Sequence, residues 1–166
     1  MNEAASSSGM GSVALAKHLI DSNRYMVLGT VDPDGRPRVS PVYFSPDGYS
    51  VVYWVSSLES HHPRNIAERP DVSMVVFDSA AEIGSGEGVY LIARAEVVPD
   101  DELDRCLDTV VWTRFPGLRQ FSAAELRHPE VRRLYRARID EHSIHIPGRH
   151  PEYGTGTDRR MPVDLG

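Results

Sequence analysis

The sequence holds a single cysteine, Cys106, among its 166 residues. An internal disulfide is therefore excluded, and a lone thiol is typical of a protein in the reducing cytoplasm. No run of about 18 apolar residues is present, which excludes a transmembrane helix. The first twelve residues, MNEAASSSGMGS, lack the basic and apolar regions of a signal peptide. We therefore expect a cytoplasmic protein in which residues 1–12 form a disordered leader.

Basic residues are fewer than acidic ones: the sequence has 18 lysines and arginines and 24 aspartates and glutamates, which gives a net charge of -6. This balance argues against nucleic acid as the main partner. His142 and His145 are three residues apart, so a strand would turn them to opposite faces and they would not share a metal. Cys106 lies on an apolar helical stripe, without the base and positive surroundings that a thiol nucleophile needs. We expect no metal site and no cysteine chemistry.

Six segments have the composition of β-strands, and two of them are followed by the turn sequences DPDG at 32–35 and SPDG at 45–48. The strands are predicted at residues 24–31, 36–45, 49–55, 72–77, 89–98 and 139–146. Two hairpins, a helix and further antiparallel strands favour a small barrel over a parallel sheet. The sequence therefore predicts a mostly β domain with flanking helices (α+β) over residues 13–147. We expect the tail, 148–166, to lie over the surface or across a partner subunit.

Helical patterns flank these strands at residues 13–21, 60–70 and 100–111, and a capping box, SAAE, begins another helix at 122–125. The segment 129–138, PEVRRLYRAR, predicts a further helix with its apolar residues facing inward. The arginines at 127, 132, 133, 136 and 138 would then form a solvated helix face, and an anion or nucleic-acid surface is the alternative. Residues 79–88 are rich in small residues and are predicted to form a loop.

The helix at 60–70 begins with SHHPRN, which has the features of an anion site. Ser60 is a natural N-cap, and Pro63 fits the first turn, where its missing N–H is not needed. The free N–H groups and the positive end of the helix dipole would face outward there. His61, His62 and Arg64 would add donors at the same place. The alternative is a solvated helix start with incidental basic residues.

Three segments carry a resemblance to a known family: TVDPDGRPRVSPVYF, YWVSSLESHHPRNIAERPDVSMVVF and VYLIARAEVV. In this order and spacing they resemble the pyridoxamine 5'-phosphate oxidase-like, FMN-binding split-barrel family. The resemblance implies a homodimer of six-stranded antiparallel split β-barrels, with one FMN in each groove between the subunits. It also implies an oxidoreductase that acts on a small molecule, in which the flavin carries out the redox chemistry.

The resemblance further implies which residues hold the cofactor. The strand after the DG turn would contact the flavin, and so would the strand end before the helix, while the helix entry would take the phosphate. The residues at matching positions are Ser40, Pro41, Val42, Tyr43, Trp54, Val55, Ser56, Ser60, His61, His62, Arg64 and Asn65. Tyr43 and Trp54 offer stacking surface, although either could equally be a core residue.

Several positions depart from the family pattern. His61 and His62 stand where the vitamin B6 oxidases have an Arg-Lys pair, so we predict weaker and pH-sensitive flavin binding. Ser40 replaces an arginine of the first contact strand, and Gly88 replaces a glutamine near the ring. The C-terminal elements that hold pyridoxine phosphate have no clear counterpart. We therefore expect a substrate other than pyridoxine or pyridoxamine phosphate.

Two further functions are compatible with the same resemblance. The first is a reductase that binds the deazaflavin F420, whose phosphate-bearing tail would use the same helix entry. The second is a non-catalytic flavin-binding or haem-binding protein that serves in storage or sensing. No side chain in the sequence indicates an acid or base, and flavin hydride transfer does not require one.

Overall fold

The computed structural model describes residues 10–81, 86–110, 112–115, 117, 119–150 and 152–166. Most of the predicted leader (residues 1–9) and part of the predicted loop (residues 82–85) lie outside these ranges. The strands are β1 Tyr25–Val31, β2 Pro37–Tyr43, β3 Ser45–Asp47, β4 Val51–Ser57, β5 Asp71–Phe77, β6 Gly88–Val97, β7 Arg132–Ile146 and β8 Arg159–Val163. The helices are α1 Ser12–Ser22, α2 His61–Glu68, α3 Leu103–Thr109 and α4 Ala123–Leu126, with a 3-10 turn at Trp112–Arg114.

The strands of the described residues form one antiparallel sheet that curls into a half-barrel, which confirms the predicted fold class. Seven strands follow one another in the order β2-β1-β5-β6-β7-β4-β3, and β8 pairs with β7 off this path. The expected count of six strands was therefore too low, because β3 and β8 were not foreseen. On one edge of the long strand β7, β4 covers residues 132–138 and β8 covers residues 142–146. The predicted tail thus returns to the sheet through β8.

The first connection follows the sequence prediction closely. In the DPDG turn, the Gly35 N–H donates to the carbonyl of Asp32 at 2.8 Å. Gly35 has φ +87°, a left-handed conformation that favours glycine. The turn therefore joins β1 to β2 as the predicted hairpin, with Val31 opposite Pro37.

The inner face of the curled sheet holds the larger of two apolar clusters. The apolar face of α1 closes this cluster through Leu15, Ala16, Leu19 and Ile20, all buried. Trp54 is fully buried in the same cluster, where its ring stacks on that of Tyr135 at 5.7 Å between centroids. Burial of these side chains is the main term that stabilises the barrel.

A second cluster lies on the outer face of β4 and β7, beneath α3 and α4. Its buried members include Tyr53, Leu103, Cys106 and Leu134. Arg136 is buried beside them, with ion pairs of 2.7 Å to both Glu96 and Glu102. Because the guanidinium has two carboxylate partners, its burial is compensated.

The predicted helix at 129–138 is wrong, since β7 begins at Arg132 and continues without a break to Ile146. The segment lies between β4 and β6 and is buried on both faces: Tyr135 and Ala137 join the inner cluster, and Leu134 joins the outer one. A strand buried on both faces loses the alternating pattern, so its sequence can resemble that of a helix. The arginines of this segment are therefore strand residues, and Arg133 and Arg136 are buried.

A buried polar network attaches α2 to the β1–β2 hairpin. The Asn65 side-chain amide donates to Thr30 Oγ1 at 3.0 Å and to Asp32 Oδ1 at 2.8 Å. Arg38 donates to both carboxylate oxygens of Asp32, with contacts between 2.6 and 2.9 Å. These bonds lower the pKa of Asp32 to about 2, with Arg38 as the largest cause and Asn65 the next. The network fixes where the start of α2 lies relative to β2.

None of the helices in the described part of the chain combines the length and the apolar character that crossing a bilayer requires.

Candidate functional site

A cavity of about 440 Å³ opens between the end of β2, the end of β4 and the start of α2. Its volume falls in the range of small-molecule sites. Its lining consists of Pro41, Val42, Tyr43, Val55, Ser56, Ser57, Ser60, His62, Trp112, Arg119, Phe121 and Arg132. Seven of these are residues that the sequence predicted for cofactor binding: Pro41, Val42, Tyr43, Val55, Ser56, Ser60 and His62. The fold therefore brings the three predicted contact segments to one place.

The start of α2 has the predicted backbone geometry but lacks one of the expected bonds. Ser60 precedes the helix in an extended conformation, with φ -73° and ψ 161°. Its hydroxyl makes no capping hydrogen bond to the helix. Ser60 therefore occupies the N-cap position without making the predicted bond. Pro63 lies in the first turn of the helix, as expected.

His62 is buried at the wall of the cavity and bonded to β4. Its Nε2 lies 2.6 Å from the hydroxyl of Ser56. Burial lowers the pKa of His62, and the neighbouring His61 lowers it further. The imidazole is therefore neutral over more of the pH range than an ordinary histidine, and it contributes hydrogen bonding rather than charge.

The other five predicted residues do not line the cavity. His61 and Arg64 are exposed on α2, where Arg64 Nη2 donates to the carbonyl of Glu59 at 2.7 Å. Asn65 is buried in the Asp32 network, and Trp54 lies in the core. Ser40 is half-buried on β2, opposite Leu28. For all twelve residues, a role in cofactor binding stays a prediction.

Two arginines that were not among the residues predicted to bind the cofactor supply the positive charge of the lining. Arg132 lies at the start of β7, opposite Ser57 of β4. Arg119 pairs with Glu125, and its guanidinium carbon lies 5.0 Å from the centroid of the Phe121 ring. Their place in the cavity depends on strand pairing and on loop packing, neither of which has a local sequence signal.

Three aromatic side chains form one side of the cavity. The Trp112 ring lies 6.3 Å from that of Tyr43 and 5.9 Å from that of Phe121, between centroids. Trp112 is 5% exposed, and its Nε1 is buried without a hydrogen-bond partner among the described residues. Nearly all buried N–H donors in folded proteins have a hydrogen-bond acceptor, so this indole is an exception.

The edge of β4 adds backbone groups to the same cavity. β3 pairs only with residues 51–53 of β4, and the following residues, Val55, Ser56 and Ser57, line the cavity. Backbone N–H and C=O groups on an unpaired strand edge need partners. The cavity thus combines aromatic surface, strand-edge polar groups and two cations.

Solved structures of similar fold have varied functions. An F420 reductase is 24% identical, with a TM-score of 0.57 over 77% of this chain and 95% of that one. The heme storage protein HutZ from Vibrio cholerae is 21% identical, with a TM-score of 0.62 over 84% and 94% of the two chains. A heme binding protein from Mycobacterium smegmatis is 19% identical, with a TM-score of 0.64 over 92% of this chain and 59% of that one. At these identities the likeness shows a shared fold.

A search among curated proteins gives no match. The family model described as pyridoxamine 5'-phosphate oxidase matches residues 14–143, which include β1 to β6, most of β7 and every residue of the cavity lining. The chain therefore belongs to the pyridoxamine 5'-phosphate oxidase family.

Proposed function

We propose that this protein binds FMN in the cavity between β2, β4 and α2, and that it is an oxidoreductase acting on a small molecule. The observation that carries the proposal is the composition of the cavity. Aromatic side chains, a buried indole N–H without a partner and two arginines lie together at the place where the family resemblance puts the flavin. These groups suit a flat ring with polar edges joined to a phosphate.

The side chains divide into two groups according to the part of the flavin they suit. Arg119, Arg132 and Ser60 offer donors and positive charge to a phosphate. Tyr43, Trp112 and Phe121 offer apolar surface to the ring. Bound FMN would supply the hydride or electron transfer, while the protein would hold the ring and limit its contact with water.

F420 is the second candidate cofactor, and haem is the third. The likeness to an F420 reductase supports the former, and the likeness to two heme proteins supports the latter. Arginines and aromatic surface would also suit F420, which carries a phosphate and a flat ring system. The colour of the loaded protein separates the three cofactors, because flavin, deazaflavin and haem absorb at different wavelengths.

We also propose that the protein is a homodimer, with the cofactor groove completed by the partner subunit. Large apolar side chains are exposed on the outer face of β1, β2, β5 and β6. Val39 is 69% exposed and Tyr25 is 60% exposed, and the others are Val31, Phe77 and Ile92. Exposed apolar surface on neighbouring strands is typical of a protein interface. Pro41, on β2, also lines the cavity, so the face and the cavity are adjacent.

The first test is the absorbance and fluorescence spectrum of the purified protein before and after FMN is added. We expect a flavin spectrum with altered fluorescence in the wild type, and weaker binding in the Arg119→Gln/Arg132→Gln double variant. The His61→Ala/His62→Ala variant tests the helix entry in the same way. Arg36→Gln, which removes an exposed arginine in the turn between β1 and β2, outside the cavity, is the matched control. Failure of the wild type to take up FMN would exclude the FMN proposal.

Catalysis needs a separate measurement on the loaded protein. We expect NADPH or dithionite to reduce the bound flavin under anaerobic conditions, and an added quinone or oxygen to reoxidise it over repeated cycles. A holoprotein that is reduced once but never turns over would favour the storage or sensing function.

A further inference from the structure

A second cavity, of about 530 Å³, lies between α2 and the strands β6 and β7. Its lining consists of Leu58, Ile66, Ala67, Pro70, Arg94, Ala95, Glu96, Val97, Arg133, Tyr135 and Arg138. It shares no lining residue with the cavity proposed for the cofactor. α2 contributes to both cavities, with His62 in the first and Ile66 in the second. The second cavity is therefore a separate site on the other side of this helix.

A buried arginine without a carboxylate partner lies in its wall. Arg133 is 8% exposed, and its Nη1 donates to the backbone carbonyls of Arg132 and Glu130. No ion pair reaches Arg133 from any carboxylate in the described part of the chain. Consecutive residues of a strand point to opposite faces, so Arg132 lines the first cavity and Arg133 lines the second. A buried cation without a counter-ion is destabilising, and an anion in the cavity would offset this.

Tyr135 adds a hydrogen-bond donor close to Arg133. Its ring is held by stacking on Trp54, and its hydroxyl makes no hydrogen bond within the described residues. Burial raises the pKa of Tyr135 to about 12, and the charge on Arg133 acts in the opposite direction. The hydroxyl therefore stays protonated. Tyr135 lies two residues from Arg133 on the same face of β7, and both residues line the cavity.

The rest of the lining has more positively charged than negatively charged side chains, and it also offers apolar surface. Arg94 and Arg138 are exposed, and Arg94 pairs with Asp71 at 3.1 Å. Glu96 is the acidic member, but Arg136 already binds it at 2.7 Å. Arg138 lies farther from Glu96, at 3.9 Å, and keeps donors for another partner. The apolar part consists of Leu58, Ile66, Ala67, Pro70 and Val97.

We propose that this second cavity binds a small organic anion, a carboxylate or a phosphate carried on an apolar body. Arg133 and the Tyr135 hydroxyl would hold the acid group, and Arg138 would attract it at the entrance. A planar guanidinium suits both acid groups, since it can donate two parallel hydrogen bonds. The apolar side chains would cover the body of the ligand.

The test is a titration of the ¹⁵N-labelled full chain with phenyl phosphate, followed by amide chemical shifts. Shifts are expected at residues 94–97 and 133–138, which line the second cavity. Binding at that site should weaken about tenfold in Arg133→Gln, because a charge-assisted bond is lost. Tyr135→Phe keeps the stacked ring, so it tests the hydroxyl if the buried arginine variant does not fold. Arg138→Gln tests the entrance, and Arg36→Gln, at an exposed arginine that lines neither cavity, is the matched control.

The proposal is supported if those shifts saturate, and if Tyr135→Phe and Arg138→Gln weaken the binding while Arg36→Gln does not. It is overturned if the shifts are confined to residues 42–43, 55–57 and 60–62, which would place the ligand in the first cavity alone. Equal affinity in the wild type, Tyr135→Phe and Arg138→Gln would also overturn it. So would the absence of saturable shifts in the folded wild type.

Discussion

The Ser56 hydroxyl lies 2.6 Å from Nε2 of His62, so a side-chain hydrogen bond joins the end of β4 to the first turn of α2. Both residues line the candidate cofactor cavity. Because burial lowers the pKa of His62, the neutral imidazole is the form that the folded chain favours. Protonation of His62 would remove a hydrogen-bond acceptor or add a buried charge at this contact. We therefore expect the free energy of unfolding and the affinity for the cofactor to depend on pH.

The first prediction concerns stability between pH 8 and pH 5.5. The pKa of His62 is lower in the folded chain than its ordinary value of 6.5, so the unfolded chain binds more protons in this window. The contribution of His62 to the free energy of unfolding is therefore full above pH 6.5 and declines as the pH falls below it. Urea unfolding of the wild type should show this decline, and His62→Gln should show a smaller one. Identical pH profiles would contradict the prediction.

The second prediction concerns FMN affinity at pH 6 and pH 8. A phosphate bound beside His62 would favour the imidazolium, so FMN binding would take up a proton and become tighter as the pH falls. We expect tighter binding at pH 6 in the wild type, and a smaller difference in His62→Gln. Isothermal titration calorimetry in buffers of different ionisation enthalpy measures the proton uptake directly. Equal wild-type affinity at the two pH values would exclude a charge-coupled role for His62.

The third prediction is that Arg132 provides most of the positive charge that binds the phosphate of FMN. Because His62 is mostly neutral, the arginine should carry more of the interaction with an anionic group. Arg132→Gln is expected to weaken FMN binding by about tenfold or more, the usual effect of losing a charge-assisted hydrogen bond. The salt dependence of binding should decrease as well. Riboflavin, which lacks the phosphate, is the control ligand, and its affinity should be the same in the variant and the wild type.

The fourth prediction concerns Asn65, which the family resemblance places at the phosphate. The structure shows its amide bonded to Thr30 and Asp32, so we expect its main effect to be on stability. Asn65→Ala leaves buried acceptors with fewer partners and should lower the free energy of unfolding by about 1–3 kcal/mol. His61→Ala, at an exposed position on the same helix, should change it far less. Chemical unfolding at pH 7 compares the two, and equal losses would contradict this assignment.

Much of the fold could be predicted because its signals are local. The DPDG turn needs only its own residues, and Gly35 has the backbone conformation expected of it. The capping box at 122–125 is also confirmed, since Glu125 accepts from the backbone N–H of Ser122 at 2.9 Å. The candidate cavity followed from three short segments whose order and spacing were visible in the sequence.

The rest depends on residues that are far apart in the chain. Arg132 reaches the first cavity only because β7 pairs with β4, which sets it opposite Ser57. The sequence instead assigned this arginine to a helix face, since a strand buried on both sides has no alternation to identify it. Trp112 likewise joins the cavity through packing against Tyr43. Its buried, unpartnered N–H is visible only in the folded chain.

The fifth prediction tests the homodimer through Val39, the most exposed of the large apolar residues on the outer face of the sheet. Val39 lies opposite Gly29 on β1, Gly29 lies opposite Ser73, and Ser73 lies opposite Ile92, so one row of residues crosses four strands. A partner subunit on this row would bury Val39, and Val39→Lys would place a charge in the interface. Lysine in such a place is strongly unfavourable, whereas on a free surface it is tolerated.

We therefore expect wild-type protein to have twice the chain mass by light scattering, and Val39→Lys to shift toward the mass of one chain on dilution. Val13→Lys is the matched control, since Val13 is 40% exposed on α1, outside this row. FMN affinity should fall together with dimer formation in Val39→Lys, because the groove would lose the partner's contribution. A wild type that is monomeric at all concentrations would exclude the homodimer. A dimer unaffected by Val39→Lys would place its interface on another face of the barrel.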